Sequence, residues 1–449
     1  MSASAPLRIG VLGAGGRGRE AYGSWVLRHP ERTRLVAVAD PDPDRRGEFA
    51  GRASGAREYE DWTALVGDLE ELALDAAIVA LPDRLHVEPA IALMAHSVPI
   101  LLEKPAASRA DELEQLAGAV ERLGGRVVVG HVLRFTPFWR SVASVVFSGA
   151  IGRLMTVDLR ENIGFWHFAH SYVRGNWKRS ADSSPMVLAK TCHDLDIIRW
   201  LAGEAPTSVF SVGELSYFRP ENAPTGAPEF CIQGCPVADS CPFYAPRYYA
   251  EALHEVHGVP VTLLTADTSP EGRREALGRS DYGRCVFRSG NDVADHQQTA
   301  LGFPSGMTAT LTASAFTGDN SRHVSLTGTA GQIIGHMDEG RIEIDLFSPL
   351  GTLPELPLAS LVEERTRPPL GHRSVVLTAR PPGVAAGDHR GHAGGDDGLM
   401  EEFVNALETG VWSDDLAFST ALDSHRIAFA AEDSRRAGRP TARAGTVVA

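Results

Sequence analysis

Cysteine is scarce in this chain, five residues in 449, which excludes a secreted disulfide scaffold and makes a reducing, cytoplasmic setting the expectation. Long apolar runs are missing too, since none approaches the roughly eighteen residues that span a bilayer. The first residues, Met1 to Pro6, lack a basic cluster followed by an apolar stretch, so no export signal is expected. Cations are in deficit, with a formal net charge of −14. That balance repels phosphate backbones and anionic lipid heads, which argues against nucleic-acid or membrane partners and leaves a small molecule as the expected ligand. Internal repeats and lipidation motifs are absent. What is present is ordinary for a globular protein, 43% hydrophobic and 22% charged residues, and the length calls for two domains rather than one.

Between residues 7 and 130, short apolar runs alternate with helical patterns. Runs at 7–12, 35–39, 76–80, 99–102 and 127–129 predict strands, and the three- and four-residue apolar spacing of 88–95 and 110–123 predicts helices. These strands are nearly continuous Val, Ile, Leu and Ala, as in a parallel sheet covered on both faces. A doubly wound α/β domain over 1–132 follows. Beyond it, alternating segments at 154–161, 293–301, 307–315, 323–326 and 341–346, with helices near 137–147 and 193–201, predict an α+β domain over 133–449 with an open, mainly antiparallel sheet. Residues 218–290, rich in Pro, Gly and Cys, read as an insertion without a core of its own, 349–395 as long loops and 396–435 as closing helices.

The sequence Gly13-Ala14-Gly15-Gly16-Arg17-Gly18 matches G-x-G-x-x-G between the first strand and a helix expected from about Gly18. In that context Gly13 permits the tight turn, Gly15 lets backbone approach a pyrophosphate, Gly18 lets helix and strand pack closely, and the helix N-terminus offers free N–H groups to phosphate. This is the pattern of a Rossmann dinucleotide site. Asp40 ends the second strand, where a carboxylate accepts from both ribose hydroxyls of NAD and repels the 2′-phosphate of NADP. An alternative role for Asp40 is to cap the helix starting near Pro41, and Arg45 and Arg46 keep NADP open as a second choice.

Further along come Ala80-Leu81-Pro82-x-x-x-His86, Glu103-Lys104-Pro105, Gly130-His131-Val132-Leu133-Arg134-Phe135-x-Pro137, and His193-Asp194-Leu195-Asp196 at a helix start. With the glycine loop and Asp40, these motifs make the chain resemble the Gfo/Idh/MocA family of oxidoreductases over nearly its whole length. The resemblance implies NAD as cofactor, held by positions that include Arg17, Pro82, His86, Glu103, Lys104 and Arg134, and it implies hydride transfer at a secondary hydroxyl of a sugar. Lys104 then faces the reacting hydroxyl and His193 serves as acid/base. The chemistry agrees, because a carbinol that gives up a hydride must also lose its proton to a nearby group. Many members have Asp four residues before the histidine, where this chain has Ala189, followed by Lys190. Lys190 is expected to fill part of that space and to lower the pKa of His193. The segment from Trp166 to Arg179 is expected to contact the sugar through His167, Tyr172, Arg174 and Asn176, because ring faces and vicinal hydroxyls call for aromatic planes and multidentate polar groups. Arg174, Lys178, Arg179 and Lys190 hint at an anionic sugar.

Cys231, Cys235 and Cys241 crowd one part of the insertion, and Cys285 lies at its far end. Four thiolates from one loop-rich segment suit a structural Zn site, with an iron–sulfur cluster or plain buried thiols as alternatives. For function, a sugar dehydrogenase competes with an NAD-dependent glycoside hydrolase that oxidises, eliminates, hydrates and re-reduces. A silent NAD-binding regulator ranks below both, because Lys104 and His193 are present. A homodimer or homotetramer is expected if one sheet face is left open.

Overall fold

The computed structural model describes residues 5–381 and 391–442. Its first sheet contains β1 (Leu7–Leu12), β2 (Thr33–Ala39), β3 (Arg57–Tyr59), β4 (Ala76–Val79), β5 (Ile100–Leu102) and β6 (Val127–Val129) in the order β3-β2-β1-β4-β5-β6, all parallel. The order of the strands along the sequence reverses between β1 and β4, which opens a crevice at their carboxyl ends. Alternate strand residues feed two cores. Ile9, Val11, Ile78 and Leu101 pack with Trp25 and Phe403 on one face, and Leu12, Val79 and Leu102 pack with Leu93 and Leu116 on the other. Strand β3 has no counterpart among the predicted runs, because Arg57 and Glu58 are exposed and only Tyr59 turns inward.

The second sheet comprises β7 (Leu154–Gly164), β8 (Ser208–Glu214), β9 (His296–Gly302), β10 (Thr308–Thr317), β11 (Arg322–Gly328), β12 (Gly331–His336), β13 (Arg341–Leu346), β14 (Ser360–Arg367), β15 (His372–Thr378) and β16 (Thr441–Ala442). Their order is β14-β15-β13-β12-β11-β7-β10-β9-β8-β16. Only β7 and β10 run parallel, so the sheet is mainly antiparallel, as expected. Val157, Leu159, Leu311, Val324 and Ile342 line the face covered by the helices Pro137–Phe147, Cys192–Ala202 and Phe418–Ala437. Polar residues alternate with them on the opposite, open face.

Two expectations need correction. The stretch 349–395 is not all loop, because β14 and β15 lie within it; of the same stretch, residues 382–390 fall outside the described residues. Strand β14, Ser360–Arg367, is an exposed edge strand rich in charge, so no apolar alternation announces it. The insertion between β8 and β9 also has a small core of its own, with Ala245, Tyr249, Ala276 and Leu277 packed together. At its centre the buried Arg273 donates to the carbonyls of Thr268, Tyr249, Leu253 and Val256. Those four acceptors satisfy a guanidinium that would otherwise be costly to bury. No helix among the described residues is long and apolar enough to cross a membrane.

Candidate active site

Gly13 follows β1 at φ +99°, and a Cβ there would fall 2.3 Å from the Ala80 carbonyl oxygen. Gly18 packs closer still, with a Cβ position 1.8 Å from the carbonyl oxygen of Gly13. Gly15 differs, since nothing stands within 4 Å of its Cβ direction. That open side is the one a pyrophosphate needs. The helical turn begins at Gly16, earlier than the expected Gly18. Asp40, buried at the end of β2, accepts from the amide of Ala14 (2.8 Å) and that of Asp42 (2.9 Å) and receives Arg45 at 3.1 Å. It is not the cap of the next helix. That helix is Pro43–Gly51, and its cap is Asp42, which accepts from the amides of Asp44 and Arg45. Arg46 donates to the Asp40 carbonyl.

At the end of β5, Glu103 anchors a charged cluster. Its carboxylate accepts from Arg17, from the Tyr22 hydroxyl (2.7 Å) and from the amide of Lys104 (2.8 Å). Burial works against the anion, yet Arg17 and Lys104 together hold the carboxyl below its usual range. Arg17 also forks onto Asp396 at 2.8 and 2.9 Å, tying the glycine loop to the closing helix. Just before Asp396, three residues (His392, Ala393 and Gly394) are left-handed and break the segment Gly391–Thr409. The kink places the His392 ring 5.9 Å from that of His193.

The Nζ of Lys104 donates to the carbonyl of Ala189 at 2.8 Å and stands 5.9 Å from the Trp177 ring. Ala189 ends the short helix Met186–Ala189, and His193 stands in the first turn of the next, Cys192–Ala202, so the strand-end lysine and the helix-start histidine converge. His193 is 4% exposed, and among the described residues neither ring nitrogen has a hydrogen-bond partner. Burial, followed by the positive charge of Lys104 and then the imidazoles of His131 and His392, pushes its pKa well below that of a free histidine. The ring is therefore neutral at physiological pH and ready to accept a proton. The neighbouring Cys192 thiol is pushed up to about 12, chiefly by burial, and is inert as a nucleophile.

Lys190 lies nearby but faces the sheet, 3.2 Å from Glu161 on β7. Arg322 on β11 bridges Glu161 and Asp194, both at 2.8 Å, so two cations and two carboxylates balance one another in the interior. The expected depression of His193 is thus present, with Lys104 and not Lys190 among its causes. The guanidinium of Arg134 makes a buried two-toothed pair with Asp196. His86 sets its two ring nitrogens 2.7 Å from the carbonyls of Leu81 and Pro105, bracing the loop that contains Pro82 against the Lys104 turn.

The segment expected to touch sugar divides in two. His167 reaches Asn320 at 2.8 Å, Asn176 is exposed, and Trp177 donates to Asp83, which also receives the hydroxyls of Ser183 and Ser184. Tyr172 is buried beside Phe168, and Arg174 turns into the insertion, donating to the carbonyls of Phe243 and Arg284. Lys178 pairs with Asp281. Lys104, Lys178 and Lys190 are the only lysines in the chain. Sequence reasoning passed over Tyr22, Glu161, Arg322, His392 and Asp396. Their signal is long-range pairing, which no local spacing reveals.

A model described as the oxidoreductase family's NAD-binding Rossmann fold matches residues 7–131, and one for its C-terminal α/β domain matches residues 144–349. The chain belongs to the Gfo/Idh/MocA family. This family member is an NAD-binding oxidoreductase. It is 25% identical to YteT of Bacillus subtilis over 73% of this chain and 71% of YteT. It is 33% identical to an inositol 2-dehydrogenase of Rubrobacter xylanophilus over 46% of this chain, and the match spans 55% of that relative. Levoglucosan dehydrogenase in its apo form has a TM-score of 0.69 at 18% identity, with 99% of this chain and 100% of that one covered. An oxidoreductase from Agrobacterium radiobacter in complex with NAD+, L-tartaric acid and magnesium has a TM-score of 0.67 at 17% identity, with 98% and 99% covered. At such identities the structural likeness is one of fold.

Proposed function

We propose that this Gfo/Idh/MocA member is an NAD-dependent dehydrogenase acting on a secondary hydroxyl of a sugar or polyol. The observation that carries the reading is the meeting of Lys104 and His193 at the carboxyl end of the parallel sheet, across the Ala189 carbonyl. The open approach at Gly15 and the carboxylate of Asp40 fit the dinucleotide, which when bound accepts the hydride. His193, neutral and without a partner among the described residues, takes the hydroxyl proton. Lys104, with one N–H engaged by Ala189 and two to spare, steadies the alkoxide as charge develops. The names of the relatives, inositol 2-dehydrogenase and levoglucosan dehydrogenase, support a carbohydrate substrate.

Arg174, Lys178, Arg179 and Lys190 each have a protein partner, which favours an uncharged polyol over an anionic sugar. Incubation with NAD and myo-inositol or levoglucosan should produce NADH, read by absorbance. Cleavage of a nitrophenyl glycoside without net NADH, and no NADH from free polyols, would replace the dehydrogenase with the hydrolase reading.

Structural Zn in the insertion is part of the same proposal. Cys231, Cys235, Cys241 and Cys285 all line one cavity of about 10 Å³, with Phe243 and Phe287 beside them. Among the described residues no three of these sulfurs lie within 4.8 Å of one another, so closure on an ion requires side-chain rotation. None of the five cysteines is paired in a disulfide, which supports the cytoplasm as the compartment. The open sheet face carries exposed Phe210, Val212 and Ile334, which supports a homodimer or homotetramer.

A further inference from the structure

The face of the second sheet turned away from His193 holds a group of side chains that the oxidoreductase reading does not use. His323 near the start of β11 and His336 at the end of β12 are directly paired across the two strands, with ring centroids 4.1 Å apart. Asp319, in the turn leading into β11, brings one carboxylate oxygen to 2.8 Å from Nε2 of His323 and 3.7 Å from Nε2 of His336. One ligand atom from each of the three residues lies within 4.8 Å of the other two. Donor atoms around a tetrahedral Zn2+ stand about 3.4 Å apart for bonds near 2.1 Å. The two Asp319 separations fall on either side of that value, so small side-chain shifts bring the three atoms onto one ion.

The surroundings are those of a ligand set. The second oxygen of Asp319 accepts from the Asn162 amide at 2.8 Å, fixing the carboxylate plane. Nδ1 of His336 lies 3.1 Å from the Glu339 carboxylate, which selects the tautomer whose Nε2 lone pair faces Asp319. That Nε2 is buried and has no hydrogen-bond partner among the described residues, an arrangement that is costly unless something accepts the lone pair. Arg160, opposite His323 on β7, is exposed on this side. With two carboxylates and one guanidinium, the local charge is negative and favours a dication.

We propose that Asp319, His323 and His336 form a site for a divalent borderline metal, Zn2+ in the first instance, with water completing the coordination. The ligand types exclude Ca2+ and Mg2+ as preferred ions, since two imidazoles suit Zn2+, Co2+ or Ni2+. The ion pins the turn 318–320 to the β11–β12 pair. That turn carries Asn320, the partner of His167 and of the Gly164 amide. The site is independent of the four cysteines and of the hydride chemistry.

The test is equilibrium dialysis of the chelator-treated, reduced, full-length protein against Zn2+. His336→Gln and His323→Gln should each remove one bound Zn2+ per chain from whatever total the parent holds, and Asp319→Asn should weaken that ion at least about tenfold. The same loss should appear on a Cys235→Ser background, which keeps the two kinds of site apart. His372→Gln, elsewhere in the sheet, should change nothing. A second reading needs no variant: Co2+-loaded parent should show at least one strongly shifted exchangeable imidazole N–H resonance, from the Nδ1–H that Glu339 protects. Equal Zn2+ in the parent and both histidine variants, or no shifted imidazole resonance with Co2+, overturns the site.

Discussion

Two ring nitrogens without a partner among the described residues set His193 apart, and the depression of its pKa by burial and Lys104 has a kinetic consequence. The neutral, proton-accepting form persists below the range where a free histidine titrates, so kcat should hold steady from pH 8 to about 6, whereas an unperturbed base would lose half its rate near 6.5. A pH profile that halves near 6.5 contradicts the assignment. Lys104→Ala removes both the alkoxide's cation and a cause of that depression. Turnover should fall at least about a hundredfold while NAD affinity, measured by fluorescence titration, is kept; near-normal turnover would take Lys104 out of the chemistry. Lys104, His193 and the glycine loop were legible in the sequence because short motifs next to strand ends report backbone geometry. The orientation of Arg134 and Arg174 was not. Each is committed to a partner more than fifty residues away, Asp196 and the insertion's carbonyls, and nothing local foretells that choice.

At the scale of elements, legibility followed burial. Runs buried on both faces, such as β1 and β4, announced themselves, as did the amphipathic helix Ala110–Leu123. The exposed β14 and the three-residue β3 did not, since neither buries a row of apolar side chains. The insertion was visible as a composition shift, but its core of tyrosines around Arg273 was hidden, because burying a guanidinium depends on four carbonyls that folding alone assembles. If Zn also holds this element, freshly purified protein should contain about one Zn per chain at the cysteines. Cys235→Ser should then release that metal and lower the melting temperature by a few degrees while NADH production continues. Unchanged metal content, or no metal in reduced parent protein, leaves the four residues as packed thiols.

The whole molecule carries an acid sensitivity that no single residue shows. His131, His170, His193 and His425 are all buried, and burial is the first cause that lowers each pKa, to about 4 for His170 and about 3 for His425. Well above pH 6.5 these rings are neutral folded or unfolded. Below it the unfolded chain binds protons that the folded chain refuses, so stability is lost as pH falls through the window from 6.5 towards the folded values, at about 1.4 kcal/mol per unit for each ring. Calorimetry should show the melting temperature dropping by several degrees between pH 7 and 5.5, and a flat profile would mean the rings are hydrated. Replacing His425, whose Nε2 accepts from the Ala106 amide, should flatten part of the slope at the cost of that bond.

The distribution of the three lysines has a practical consequence. Lys190 is closed off beside Glu161, and Lys178 is half-buried in a pair with Asp281, so Lys104 in the cleft is one of only two side-chain amines within reach of a reagent in a 449-residue protein. A limiting dose of an acylating reagent should therefore act as a titrant of the cleft: activity should fall in step with label on Lys104, and saturating NAD should slow both. Activity that survives stoichiometric acylation of Lys104 would contradict its place at the reacting carbon. Coupling of this enzyme to a resin or a dye through lysine amines puts Lys104 at risk, whereas coupling through surface carboxylates leaves the cleft untouched.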